Sequence, residues 1–528
     1  MVTNMGLAWW QSGIVYQVYP RSFQDANGDG VGDLRGVARR LGHLQALGVD
    51  ALWLSPIYPS PMADFGYDIA DYTGIDPLFG TMEDFDALIA QAHGLGLRLI
   101  LDFVPNHTSD RHPWFLESAS SLRSPKRDWY LWRDPAPDGG PPNNWLSNFG
   151  GPGWTLNERT GQYYYHSFLP QQPDLNWRNP AVVAAMHDAL RFWLKRGVDG
   201  FRVDVMWMMI KDDRFRDNPP NPDYHPGGSS HDRLLPLYTA DRPEVHEVVA
   251  GLRSVLDEFG DRVLIGEIYL PIDRLVTYYG PHLNEAQLPF NFQLLLMSGW
   301  SAETIARIIT DYEGALPPGG WPNWVLGNHD RPRIASRIGR AQARMAAMLL
   351  LTLRGTPTIY YGEEIGMADV AIPPDEVQDP AEKREPGKGL GRDPERTPMP
   401  WDASAGHGFT TAKPWLPFGA QEADVVAEAA DPQSMLNLYR GLIALRKTSP
   451  ALLHGETEGV HVEGTVLSYE RRAPEQHLAV HLNLGEAAQT VTVKPGRILF
   501  SSGLHHDAVA SPLTLAAAEG VVVVIEKL

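Results

Sequence analysis

Between residues 14 and 362, short runs rich in β-branched and aromatic residues alternate with stretches of helical patterning. The runs are IVYQVYP (14–20), DALWLSP (50–56), LRLILDFVP (97–105), GFRVDV (200–205), VLIGE (263–267), WVLGN (324–328) and TPTIYYG (356–362). Each is short and nearly continuously apolar, which is how a strand buried on both faces reads. A weaker run, QLPFNF (287–292), fills the gap before the last two. Between the runs, GVARRLGHLQALG (36–48) and MEDFDALIAQAHGLG (82–96) carry apolar residues at helical spacing. Eight successive strand-then-helix units predict an α/β fold closed as a (β/α)8 TIM barrel rather than an open doubly wound sheet.

Two stretches break this rhythm. About 70 residues separate LILDFVPNHT from the helical pattern VVAAMHDALRFWLKRG (182–197), and they are rich in Pro, Gly, Asn and Trp. A structureless loop of that length is foreign to a compact domain, so residues 105–176 are expected to form a small inserted subdomain after strand 3. Residues 368–420, Pro-rich and charged, predict a long excursion near the barrel mouth. The amphipathic segment SMLNLYRGLIALRK (434–447) closes the barrel unit, assigned to 1–104 and 177–449. Regularly spaced alternating runs after it predict a C-terminal antiparallel β-sandwich over 450–528.

Composition narrows the function. The 528 residues include no cysteine, which excludes disulfides and thiolate chemistry. A net charge of −19 argues against nucleic acid, because polyanion binding needs a basic footprint. No basic segment followed by an apolar one opens the chain, and no run reaches the ~18 apolar residues of a membrane span. A cytoplasmic protein without membrane partners is expected, and the sequence is silent on oligomeric state.

Barrel enzymes carry their active sites at the C-terminal ends of the strands. There this chain places Asp102 and His107 (third strand), Arg202 and Asp204 (fourth), Glu267 (fifth) and His329 with Asp330 (seventh). The second strand leads into DFGYDIADY, with Asp64, Tyr67 and Asp68. Strand side chains alternate, so Arg202 and Asp204 project together. The arginine is expected to keep Asp204 ionised, as a nucleophile requires. Glu267 follows an apolar strand, an environment that raises a carboxyl pKa and keeps a proton to donate. A lone strand-end aspartate is more often a helix N-cap. Convergence of so many at one end of different strands is what favours paired-carboxylate glycoside hydrolysis.

DFVPNH, GFRVDV, GEIYL and VLGNHD, in this order and spacing, resemble the four motif regions of the α-amylase superfamily (glycoside hydrolase family 13). The resemblance covers nearly the whole chain. It implies Asp204 as nucleophile, Glu267 as acid/base and Asp330 as stabiliser of the transition state through the sugar 2- and 3-hydroxyls. It implies His107, Arg202 and His329 as sugar contacts in the first subsite, with Phe149 and Phe168 of the inserted segment among the substrate-binding residues. QPDLNW (172–177), FGYDIADY (65–72) and GRDPERTPMPW (391–401) are similar to segments of the α-glucosidase and oligo-1,6-glucosidase branch. There Asp64 and Tyr67 would close off the non-reducing end, with Tyr67 as a stacking platform. Arg396 is expected to pair with Asp64, with Arg392 the second candidate. Val205 matches branch members that prefer α-1,6 links, whereas GEIYLP departs from the typical oligo-1,6-glucosidase pattern.

DANGDGVGD (25–33) sets Asp25, Asn27, Asp29 and Asp33 at alternating, oxygen-rich spacing, with Gly30 for the turn. Gly36 stands where an EF-hand needs its bidentate glutamate. The resemblance implies a structural Ca²⁺ here, completed by the Val31 carbonyl, with Mg²⁺ as the alternative; no organic cofactor is expected. The expected activity is exo-acting, retaining release of glucose from short α-glucosides, with transglucosylation. The alternatives are a glucosyltransferase or isomerase acting on maltose or sucrose, and, more remotely, a non-catalytic relative.

Overall fold

Eight parallel strands form the central sheet of the computed structural model, which describes residues 6–419, 423–503, 508–509 and 511–525. They are β1 (Val15–Val18), β2 (Ala51–Leu54), β3 (Arg98–Phe103), β4 (Gly200–Val203), β5 (Val263–Gly266), β6 (Leu288–Pro289), β7 (Asn323–Val325) and β8 (Thr356–Tyr360). Their order, β7-β8-β1-β2-β3-β4-β5-β6, is that of a barrel opened only between β6 and β7. Side-chain hydrogen bonds bridge that seam. Asn323 Nδ2 donates to the Pro289 carbonyl (2.6 Å), and Asn323 Oδ1 accepts from Asn291 N (2.8 Å).

The two-residue strand period sorts the side chains. Val15, Ala51, Trp53, Ile100, Val263, Ile265, Leu288, Phe290 and Val325 share one buried cluster, the barrel interior. Their sequence neighbours Tyr16, Leu52, Leu99, Leu101 and Leu264 face the surrounding helices in a second, larger cluster. Continuing the inward set along each strand reaches Gln17, Asp102, Arg202, Asp204 and Glu267. Apolar layers thus fill the barrel and the polar residues emerge above them. The expected helices occur at Leu34–Leu47, Met82–Gly94, Pro180–Lys195 and Met435–Thr448. The first is N-capped by Asp33 and ends on Gly48, whose left-handed backbone (φ 94°) suits glycine.

After β3 the chain builds helix Pro113–Ala119 and an antiparallel sheet of Trp132–Arg133, Gln162–Tyr165 and Trp154–Asn157. The C-terminal segment forms a six-stranded antiparallel sheet and a separate ribbon pairing Gln489–Val491 with Leu513–Leu515. Val466, Val491, Val493, Leu515, Val521 and Val523 fill the space between them. The other face, with Leu467, Tyr469, Val480 and Val522, joins the barrel's outer core. Buried Arg446 and Arg471 stitch that side together through carbonyls of Leu351, Leu353, Thr352 and Gly455. Among the described residues, no helix is long and apolar enough to cross a membrane.

Candidate active site

Asp204 lies one residue past β4 and Glu267 one residue past β5. The strands are in register at Val203 and Gly266, so the two carboxylates occupy the next rung, on strands about 4.8 Å apart. Arg202 joins them. Its Nη1 donates to Asp204 Oδ1 (2.8 Å) and Asp102 Oδ1 (2.8 Å), and its Nη2 meets Glu267 Oε2 (2.6 Å). Glu267 Oε2 also accepts from Val205 N (2.8 Å). That bond depends on a left-handed turn at Val205 (φ 37°, ψ 47°), a strained conformation for a β-branched side chain. Asp204 Oδ2 and Glu267 Oε1 receive no donor from the described residues, so each carboxyl keeps one oxygen free for chemistry.

Arg202 does not leave Asp204 simply ionised. Burial, then repulsion from Glu267, pushes the Asp204 carboxyl well above the ordinary carboxylate range. Burial raises Glu267 as well, against the pull of Arg202. Three carboxyl groups around one guanidinium leave negative charge in excess, which disfavours ionising Asp204 and Glu267 together.

Asp330 behaves oppositely. Burial disfavours its charge, but His329 and the guanidinium groups of Arg396, Arg392 and Arg202 outweigh it, and the carboxyl is held well below its usual range. Burial drives His329 toward the neutral form, so at ordinary pH the arginines carry this effect. Gln17 Nε2 lies 2.8 Å from His329 Nδ1; an amide nitrogen donates, so the ring proton sits on Nε2, 2.6 Å from Tyr67 OH. Tyr67 in turn donates to Asp102 Oδ2 (3.0 Å), and its ring stacks on His329 at 5.3 Å and 8°. His107, also kept neutral by burial, contacts the Tyr67 carbonyl through Nε2 (3.0 Å).

One expected pairing is wrong. Arg392, not Arg396, pairs with Asp64 (Nη2–Oδ1 2.8 Å). Arg396 closes the turn Asp393–Arg396 and points inward, donating from Nε to the His329 carbonyl and from Nη2 to Asp330 Oδ1 (2.8 Å), with its guanidinium over the Tyr19 ring. Arg392, at the start of that turn, reaches outward to both Asp64 and Asp330 (3.3 Å). QPDLNW anchors the inserted segment here: Gln172 Nε2 bonds Asp64 Oδ2 (3.2 Å), Asp174 pairs with Lys211, and Trp177 donates to the Pro105 carbonyl (2.8 Å). Phe168 contacts both His107 (5.3 Å) and Phe149 (5.5 Å), and packs against Val205.

Gln17 and Gln172 join the constellation unexpectedly, and Asp102, already at the active end of its strand, joins it as the partner of Arg202 and Tyr67. Gln17 and Asp102 were signalled by being polar at inward positions of otherwise apolar strands. The loop 25–33 lies apart, against residues 409–415. Asp25 accepts from Gly28 N (2.6 Å), Gly30 N (2.9 Å) and Thr410 Oγ1 (2.5 Å), Asp29 from Val31 N (2.8 Å), and Asp33 from Ala26 N and Gly36 N. Backbone donors thus bond to several of its carboxylate oxygens, and among the described residues no three acidic or histidine side chains gather there, so a cation in this loop would draw also on the Asn27 side chain and the Val31 carbonyl.

A parallel barrel that gathers paired carboxylates at its C-terminal mouth carries the apparatus of a glycoside hydrolase. The chain belongs to the alpha-amylase family, whose catalytic domain matches residues 17–455. It is similar to a probable alpha-glucosidase of Rhizobium meliloti (strain 1021), 42% identical over 91% of this chain and 90% of the relative. It is likewise similar to an oligo-1,6-glucosidase of Parageobacillus thermoglucosidasius, 38% identical over 94% of each chain. Among solved structures, the alpha-glucosyl transfer enzyme XgtA superposes with TM-score 0.93 at 39% identity, covering 98% of this chain and 100% of its own. The isomaltulose synthase SmuA of Protaminobacter rubrum does so with TM-score 0.91 at 34% identity, covering 99% and 100%.

Proposed function

We propose that the protein is an exo-acting, retaining α-glucosidase that releases terminal glucose from short α-glucosides. The observation that carries this reading is the pair of carboxyls tied to Arg202 with one free oxygen each. Asp204 Oδ2 attacks the anomeric carbon while Glu267 Oε1 gives its proton to the leaving glycosidic oxygen, forming a glucosyl–Asp204 ester. Glu267, now the base, takes a proton from water, which attacks the same carbon, frees Asp204 and releases glucose. Asp330, ionised throughout, offers its charge to the sugar hydroxyls and to the positive charge that develops at the anomeric centre. His107, His329 and Tyr67 line this subsite with Phe149 and Phe168, and the Asp64–Arg392 pair closes its non-reducing end.

Replacing water by a sugar hydroxyl gives transglucosylation with the same residues. The likeness to a transfer enzyme and to an isomaltulose synthase favours this second reading. Glucose and new disaccharide quantified from maltose, isomaltose, sucrose, trehalose and nitrophenyl α-glucoside separate the two. Two glucose per bond cleaved in maltose, isomaltose or trehalose, and one per bond in sucrose or nitrophenyl α-glucoside, support hydrolysis; a deficit of glucose matched by new glucosides supports transfer, and no turnover of any substrate removes both. Maltose against isomaltose in the same panel tests the α-1,6 preference proposed from Val205. For loop 25–33, Ca²⁺ is proposed on the chemistry of its donors, hard oxygens from Asp25, Asn27, Asp29, Asp33 and the Val31 carbonyl. A higher Tm when Ca²⁺ is returned to chelator-treated protein supports it, and an unchanged Tm removes it.

A further inference from the structure

Asp379 sits in the 368–420 excursion, remote in sequence from every strand end, and is fully buried. Its Oδ1 accepts from Ala381 N (2.7 Å), capping helix Pro380–Arg384, and from Arg392 Nη2 (3.3 Å). Its Oδ2 accepts from Arg392 N (2.9 Å) and Arg392 Nε (2.7 Å). One carboxylate therefore holds Arg392 by its backbone and along one edge of its guanidinium. The opposite edge presents Nη2 to Asp64 and Nη1 to Asp330, and the cation lies 4.9 Å over the Phe149 ring. The capped helix also delivers Arg384, which donates to the carbonyls of Phe149 (3.1 Å) and Gly150 (2.7 Å). Asp64, Arg392 and Phe149, which together face the closed end of the subsite, are all referred to this one side chain.

A guanidinium is planar, so a carboxylate that accepts from Nε and Nη2 together fixes both its position and its plane. Burial disfavours charge on Asp379, but Arg392 and Arg396 hold the carboxyl below its usual range, so it is a charged anchor rather than a neutral cap. We propose that Asp379 is a positioning residue: by gripping Nε and the backbone of Arg392 it fixes the guanidinium across Asp64 and Asp330, and so closes the pocket to chains that extend past the terminal glucose. This rests on the α-glucosidase reading and adds to it the residue that makes the pocket blind.

The test is Asp379→Ser, which keeps an N-cap oxygen but is too short to reach Arg392. Tm is measured, with kcat and KM on nitrophenyl α-glucoside and cleavage of a maltoheptaoside blocked at its non-reducing end. The expected result is a KM raised about tenfold or more with kcat within about threefold, and new cleavage of the blocked chain, which the parent leaves intact. Arg392→Ala raises KM alike, and the double variant adds nothing further, because the two residues act as one unit. Where Asp379→Ser does not fold, Asp379→Asn serves, keeping the cap oxygen while turning an amide donor toward Arg392 Nε. A folded variant with parental KM and no blocked-chain cleavage overturns the inference, as do KM effects that simply add in the double variant. A parent that releases no glucose from nitrophenyl glucoside overturns the α-glucosidase reading, and this inference with it; an active parent with an unchanged variant overturns this inference alone.

Discussion

Glu267 Oε2 is occupied by Arg202 Nη2 and Val205 N, so any proton on this carboxyl rides on Oε1. Glu267→Gln removes that proton and little else. Its kcat on maltose is expected to fall by about 10²–10⁴-fold. On nitrophenyl glucoside, whose leaving group needs no proton, glucosylation is expected to suffer far less. An equal loss on both in kcat/KM, which reports glucosylation without the shared deglucosylation step, would argue against the acid role. The pH profile follows from the same pair. Asp204 and Glu267 are both raised, and two carboxyls so close are expected to hold one proton between them in the active form. Falling pH adds a second proton and silences the nucleophile; rising pH removes the shared one and silences the acid. The kcat/KM profile is therefore a bell, its alkaline limb well above the ~4 of free carboxyls; flat activity through that region would contradict it. Arg202 and Asp204 were legible in sequence because strand alternation fixes the direction of residues two apart. Arg392 and Arg396 were not, because they flank an irregular turn with no period to say which points outward.

At the scale of elements, seven strands were plain in the sequence and the eighth was faint. The faint one, Leu288–Pro289, is two residues long and contains a proline that has no N–H to give a neighbour. Its partner across the seam is a side chain, since Asn323 offers both a donor and an acceptor where a ladder would run. Asn323 is fully buried. Asn323→Ala leaves the Pro289 carbonyl and Asn291 N unpaired and is expected to cost about 2–5 kcal/mol, read as a lower midpoint in urea. A midpoint equal to the parent's would show that the seam does not depend on this bridge. The inserted segment was legible as an interruption, yet what it does at the mouth was not. Only the fold brings Gln172 to Asp64 and Phe168 to His107, across separations that no local pattern encodes.

For the whole molecule, the apolar period built the barrel and composition set the negative charge, which does not repel a neutral sugar. What neither could supply is the long-range clamp around the mouth. There the second-strand loop (Asp64), the inserted segment (Phe149) and the late excursion (Asp379, Arg392) meet, although hundreds of residues part the first from the last. The proposed mechanism has Asp204 attack first and water second, at the same carbon. Proton NMR of the first glucose released from maltose or nitrophenyl α-glucoside, read before mutarotation, tests it most directly. Two displacements predict α-glucose first; β-glucose first would contradict the mechanism.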